Sequence, residues 1–354
     1  MLLGGVVVFL GLGCGGESED GPPPLDCANP QTRVVRNTLC APWYDAFSVE
    51  PDRGLKWEQD PDFLIAGHTV PTLLVLPGDE GFRMVTTGKE RGTLHLHVSE
   101  DGLEWKQQKE PFFHRKMMPA DCGKVPLDVA FAYMPDGRVR MVVEGWKSEF
   151  ALGPTPTEGD PGPAPMALCS FVTRDGKDWI HEEGTWVLKT MGNAWPSVLD
   201  VSWDSFSGNY RMYYVDTHPE VDGIRVAVSP DGAVFTPAKA HRLLERAHVD
   251  PNPIRLRDGS GWRLYHTHDA LKGELGYVDS KSGLEFQGED KGLAGLSGQT
   301  CFTPPNLPSP PDACLFDPAF LRLPGGRLVM YYGIFETTED RVDRIGIGRA
   351  FATD

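Results

Sequence analysis

One pattern recurs down this chain: an apolar strand, a Gly turn, an aromatic-rich return strand, then a polar hairpin ending in Trp or Phe. Near the C-terminal end it reads Phe316-Asp317-Pro318-Ala319-Phe320-Leu321-Arg322-Leu323-Pro324-Gly325-Gly326-Arg327-Leu328-Val329-Met330-Tyr331-Tyr332. An earlier copy runs Val249-Asp250-Pro251-Asn252-Pro253-Ile254-Arg255-Leu256-Arg257-Asp258-Gly259, then Trp262-Arg263-Leu264-Tyr265-His266. Five units open at Val70-Pro71, Leu127-Asp128, Trp195-Pro196, Asp250-Pro251 and Asp317-Pro318. A period of roughly 50 to 70 residues with several short strands per unit predicts a radial all-β architecture, a five-bladed β-propeller. Gly 40 and Pro 31 suit a fold made of many turns.

The second half of each unit carries a tight turn. It appears as Val98-Ser99-Glu100-Asp101-Gly102-Leu103-Glu104-Trp105 and as Val172-Thr173-Arg174-Asp175-Gly176-Lys177-Asp178-Trp179, with weaker copies around Asp231-Gly232 and Ser282-Gly283. Gly takes positive φ without a steric penalty and Asp caps the turn, so these residues read as structural. The fifth unit stops before its outer strand. A displaced copy, Asp52-Arg53-Gly54-Leu55-Lys56-Trp57-Glu58, precedes the first unit. The expectation is that this N-terminal strand completes the last blade and closes the ring, removing an exposed sheet edge.

Three segments are expected: a signal peptide at 1–13, a flexible acidic and Pro-rich tether at 14–30, and the propeller at 31–354. Residues 1–13 form an apolar run too short to span a bilayer as a helix, which suits an export signal. The small residue before Cys14 and the polar stretch after it resemble the cleavage region of a bacterial lipoprotein. The expected location is therefore outside the cytoplasm, with the chain anchored at the cell envelope through Cys14 or secreted. Any contact with membrane would be through that lipid alone. The formal net charge of −16, from 50 acidic and 34 basic residues, argues against nucleic acid as a partner. Six further cysteines in an exported chain suggest disulfides. Sequence permits fifteen pairings, of which locality favours Cys27–Cys40, Cys122–Cys169 and Cys301–Cys314.

In a propeller blade, the start of the first strand and the end of the second share one rim. That rim would collect Asp128, Asp250 and Asp317 from strand starts. Glu144, Trp146, Asp216, His266, His268, Asp269 and Glu336 would join from second-strand ends, with His68 and His248 just before two strand starts. Asp128, Asp250, Asp317, Glu144 and Glu336 are the candidate catalytic acids. Carboxylates facing one another across a narrow funnel suit glycosidic-bond chemistry, one protonating the leaving oxygen and another activating water. His68, Trp146, Trp195, Asp216, His248, His266, His268 and Asp269 are the candidate substrate-binding lining. Each has a bland counterpart: Asp caps backbone, Trp packs between blades, and His266 with His268 lines a polar wall. As a metal pair those two histidines lack a third ligand in the sequence, so no metal or other cofactor is expected. The long insertion Lys147 to Pro165 would wall one side.

The Asp-Pro opening, Leu-x-x-Gly turn, Arg-Leu/Met-Tyr-Tyr return and Ser-x-Asp-Gly-x-x-Trp hairpin together resemble the five-bladed propeller glycoside hydrolases of the arabinanase and xylosidase type, family 43 and its relatives. The resemblance covers residues 48–354. It implies a carbohydrate partner, a funnel Asp as general base, a Glu as general acid and a further Asp that tunes the acid, with inversion. In that group a metal ion, calcium for example, sometimes sits in the channel; nothing in this sequence supports one. Two positions depart from the pattern. The first unit has Val70-Pro71 where the base belongs, and the third opens with Trp195-Pro196-Ser197 without a nearby Glu. Either the catalytic set is rearranged around the ring, or a glycan- or protein-binding funnel remains after loss of catalysis.

Overall fold

In the computed structural model the described residues are 45–60, 64–76, 81–88, 92–122, 125–134, 136–146, 166–182, 187–188, 197–204, 208–216, 223–232, 234–238, 249–269, 273–286, 289–296, 312–338 and 341–354. The signal segment, the tether, Cys14 and Cys27–Cys40 lie outside them, as do Cys301, Trp195, His248 and the insertion from Lys147 to Pro165.

Five sheets form, and they form a five-bladed β-propeller. Blade one contains His68–Leu74, Phe82–Gly88, Thr93–Ser99 and Lys106–Gln107. Blade two contains Val125–Tyr133, Val139–Trp146, Met166–Thr173 and Ile180–His181. Blade three contains Ser197–Asp204, Asn209–Asp216, Gly223–Ser229 and Val234–Pro237. Blade four contains Val249–Leu256, Trp262–Asp269, Glu274–Ser280 and Lys291–Gly292. Blade five contains Asp312–Arg322, Leu328–Thr338 and Arg341–Ala352. Its outer position is taken by Trp57–Gln59, antiparallel to the last strand with Trp57 opposite Ala352.

Alternation along each strand sends apolar side chains to both faces, so every sheet packs on two neighbours. Met84 and Tyr331 meet between blades five and one, and Phe113 and Phe171 between one and two. Ala130 and Tyr214 join two to three, Tyr213 and Leu264 join three to four, and Tyr265 and Phe320 join four to five. The ring of cores is continuous.

The repeated Asp-Gly turn explains how the blades are held in register. Asp101 accepts from the amides of Leu103 and Glu104 at 2.8 and 3.0 Å, while Gly102, at φ 75°, donates to the Ser99 hydroxyl at 2.8 Å. Gly176, Gly232 and Gly283 repeat that bond to Thr173, Ser229 and Ser280. Each turn then receives a side chain from the second strand of the preceding blade. Tyr331 donates to the Gly102 carbonyl, Arg83 to Gly176, Arg140 to Asp231, and Arg211 with Tyr213 to Ser282 and Gly283.

The equivalent groups of blade four, Arg263 and Tyr265, donate to Pro51, Arg53 and Gly54 of the N-terminal segment. Gly54 has φ 72°. The same segment is held by Asp354, whose carboxylate accepts from the amides of Gly54, Leu55 and Lys56 at 2.8, 2.8 and 2.9 Å. Arg263 is almost fully buried and also pairs with Asp279 at 2.7 Å, so removing its carbonyl partners would leave donors of a buried guanidinium unsatisfied.

Cys122 and Cys169 are joined by a disulfide across blade two. Cys314 is also disulfide-bonded.

Candidate active site

The first strand of every blade begins irregularly. In blades one, four and five the register against the second strand skips between Thr69 and Thr72, Val249 and Asn252, and Phe316 and Ala319. The residue inside each skip is left-handed: Val70 at φ 51°, Asp250 at 57° and Asp317 at 52°. A bulge of this kind turns a side chain away from the direction that strict alternation would give it. Left-handed backbone costs a non-Gly residue about 1–3 kcal/mol, with Asp tolerated better than a β-branched residue. Three blades therefore share one strained template, and two of them present a carboxyl on it.

The acids that result act on one another. Asp128 of blade two is pushed well above the usual carboxylate range, first by desolvation, then by the charges of Glu144 and Asp250. Asp317 is raised well above that range too, by desolvation, by Asp250 and Asp128, and by a side-chain hydrogen bond with Asp250. Asp250 is raised by burial as well, but three hydrogen bonds oppose the rise. Two are the Thr267 hydroxyl, donating at 2.6 Å, and the Asp317 amide, donating at 3.3 Å. The third is the Asp317 side chain, so the hydrogen bonds around Asp250 oppose its protonation while the bond between the two acids favours protonation of Asp317. The three Asp residues stay partly solvent-exposed, whereas Glu144 is buried.

Backbone economy brings this group together. Gly333, opposite Phe316 in the register, has no side chain, and a Cβ there would stand 2.7 Å from the Thr69 hydroxyl and 3.4 Å from Asp317 Oδ2. The Thr69 oxygen is buried without a hydrogen-bond partner among the described residues.

A second polar group lies in blade one. His68 Nδ1 and His97 Nε2 lie 2.9 and 3.0 Å from the Thr86 hydroxyl, and His95 sits edge-on to His68 with ring centroids 4.9 Å apart. Burial, reinforced by mutual repulsion, lowers His68 and His97 to about 4, so both are neutral at physiological pH.

The residues picked out by sequence divide cleanly. Asp128, Glu144, Asp250 and Asp317 form one interacting group. His68 belongs to the histidine cluster, and His266 with His268 lies on the second strand of blade four, both bonded to Asp290 at 3.0 and 2.9 Å. Trp146, Asp216 and Asp269 end their second strands, and Glu336 lies near the end of its own; their side chains are outside the described set, as are Trp195 and His248 entirely. Sequence reasoning missed His95, His97, Thr86, Thr267 and Asp290. The alternation Thr93-Leu94-His95-Leu96-His97 carried a usable signal, since period two puts both histidines on one face. Asp290, directly before the outer strand of blade four, carried none.

The fold is that of a five-bladed β-propeller. Solved structures agree on the fold. The chain is similar to a thermostable family-43 glycoside hydrolase at TM-score 0.57 and 12% identity, covering 83% of this chain and 92% of that one. A family 117 glycoside hydrolase of the marine bacterium Zobellia galactanivorans aligns at TM-score 0.59 and 12% identity, over 85% and 92%. The arabinanase of Bacillus subtilis aligns at 0.51 and 14%, over 83% and 97%. No protein-family model and no curated protein sequence matches the chain.

Proposed function

We propose that this propeller hydrolyses a glycosidic bond in an extracellular glycan, using carboxyls gathered at its central funnel. The observation that carries this reading is the gathering of interacting acids from three blades, with the Thr267 hydroxyl and the Asp317 amide both donating to Asp250. Neighbouring acids pushed apart in pKa are what acid–base assignment requires. Asp250 serves as the base, kept ionised by Thr267 and by the amide and proton of Asp317. Asp317 hydrogen-bonds Asp250 directly, too close for a sugar to pass between them, so it positions and tunes the base. Asp128, raised by burial and then by Glu144 and Asp250, is the general acid, held on blade two. Inverting chemistry needs roughly 6.5–9.5 Å between acid and base so that water fits. Glu336, near the end of the second strand of blade five, is a further candidate acid. The similarity of the fold to glycoside hydrolases supports a carbohydrate substrate. The disulfide Cys122–Cys169 supports an oxidising compartment, in keeping with export and a lipid anchor at Cys14.

Val70 favours a second reading. It occupies in blade one the template that Asp250 and Asp317 occupy elsewhere, yet has no carboxyl, as a binding funnel that had lost catalysis would. A panel of aryl glycosides and polysaccharides separates the two. Turnover abolished by Asp250→Asn and by Asp128→Asn, with melting unchanged or raised, supports hydrolysis. Glycan binding without turnover by the intact protein supports the binder and removes the enzyme.

A further inference from the structure

A cluster apart from the acid group has metal-ligand chemistry. His266 and His268, two residues apart on the second strand of blade four, project from the same face. Asp290, 22 residues beyond His268, meets both: Oδ1 lies 3.0 Å from His266 Nε2, and Oδ2 lies 2.9 Å from His268 Nδ1. The three candidate ligand atoms all lie within 4.8 Å of one another. The His266 side chain is fully buried, while His268 and Asp290 keep 29% and 18% exposure, so the cluster opens to solvent on one side only. Behind the rings stands Gly276, paired with His266 across the ladder. A Cβ at that position would meet His268 Cβ at 2.8 Å and His266 Cε1 at 3.2 Å. Glycine leaves room for the His266 ring, the His268 Cβ and the Lys291 carbonyl, which the same Cβ would meet at 3.0 Å.

From this geometry we infer a binding site for one divalent transition cation of the zinc class, ligated by His266 Nε2, His268 Nδ1 and one Asp290 oxygen. Tetrahedral coordination at 2.0–2.1 Å places ligand atoms about 3.3 Å apart. The two short N···O separations go to different Asp290 oxygens and the ligand atoms lie within 4.8 Å of one another, so a cation would draw them together by rotation of the Asp290 carboxylate and the partly exposed His268 ring. Two imidazoles and one carboxylate suit zinc, cobalt or nickel; calcium and magnesium prefer sets made of oxygen. Three protein ligands leave a fourth position for water on the exposed side. Thr267 lies between the two histidines, on the opposite face of the strand, and donates to Asp250. A cation here would pin that strand end to the Asp290 segment and hold the Thr267 hydroxyl in place. The site is independent of whether the acids catalyse anything.

The test uses the full chain, freed of metal by chelator and dialysis. Cobalt(II) is added while its d–d absorption is followed, and zinc binding is measured by calorimetry. One equivalent should bind with an intense tetrahedral-type cobalt spectrum, and zinc should displace it. His268→Gln and Asp290→Asn, both at partly exposed positions, should weaken binding by at least about tenfold. Asp128→Asn should not change it. Metal-free melting curves matching the parent show that the variants fold. Absence of a cobalt spectrum from the parent protein overturns the inference without any variant. So does binding that survives His268→Gln and Asp290→Asn, or binding lost on Asp128→Asn.

Discussion

Replacing His97 by Gln isolates one buried titrating group and gives a stability effect with a definite sign. His97 is 2% exposed and contacts the Thr86 hydroxyl, which also bonds His68, with His95 adjoining them. Its pKa falls from 6.5 to about 4 because burial penalises the charged ring and the neighbouring histidines repel it. Below pH 6.5 the unfolded chain binds a proton at this position that the folded chain refuses. Stability is therefore fully present above the unfolded pKa and is lost as pH falls toward 4. For a single site shifted this far, linkage gives a loss of about 1.8 kcal/mol between about pH 7 and pH 5. Residual solvent around the ring reduces that to roughly 1–1.5 kcal/mol. Gln can keep a bond to Thr86 but cannot titrate. Urea unfolding of both proteins across this range should show the parent's advantage over His97→Gln shrinking by that amount toward pH 5. The difference, not the parent profile, is the proper readout, because the acid group moves stability in the opposite direction. Two profiles parallel to within about 0.3 kcal/mol would refute the buried neutral histidine.

Asp317→Asn should stabilise the fold at neutral pH. Its carboxyl has a raised folded pKa, so stability is complete below the unfolded value near 3.8 and is lost as pH rises from there; the Asn advantage should vanish in acid urea titrations. Deleting residues 48–60 removes the buried Val49 and Trp57 side chains, about 1.5–3 kcal/mol for each aliphatic or aromatic group of this kind. It also strips Arg263 of two carbonyl acceptors. Calorimetry should show a large fall in Tm, and a truncation that melts like the intact chain would be fatal to that account. Opening Cys122–Cys169, a separation of 47 residues, should cost up to about 4 kcal/mol by loop entropy, measured with a Cys122→Ala/Cys169→Ala double variant in urea. Val70→Asn should gain about 1 kcal/mol, since Asn enters left-handed backbone more readily than a β-branched residue. An unchanged or lowered midpoint would refute the gain from relieved strain.

The blades were legible because their strands and turns are encoded locally and repeatedly. Ser99-x-Asp101-Gly102 specifies a turn within four residues, and three further copies confirm its spacing. The partner of that turn was less visible, since Arg83, Arg140, Arg211 and Arg263 reach across to another blade, and that distance is set by tertiary packing. Asp128, Glu144, Asp250 and Asp317 could be named as a group because radial geometry maps strand ends onto one rim. Their order of ionisation could not be read. It depends on Thr267 and the Asp317 amide, whose bonds to Asp250 arise only once neighbouring blades pack. Asp290 was silent for the same reason: no period links it to two histidines 22 and 24 residues away.

The comparison of Val70 with Asp250 and Asp317 separates backbone from chemistry. If carboxyl interactions produced the left-handed conformation, a valine without any such interaction would relax to ordinary strand geometry. Val70 does not; its φ of 51° lies within a few degrees of the two aspartates. The bulge is therefore imposed by how the first strand enters the blade, and the side chain it presents is free to vary. Pro71, Pro251 and Pro318 follow all three positions, and a proline there has no amide to contribute to the ladder that the bulge interrupts. A ring built this way can shift its acids from blade to blade without rebuilding the scaffold. On that shared bulge blades four and five present aspartate and blade one presents valine.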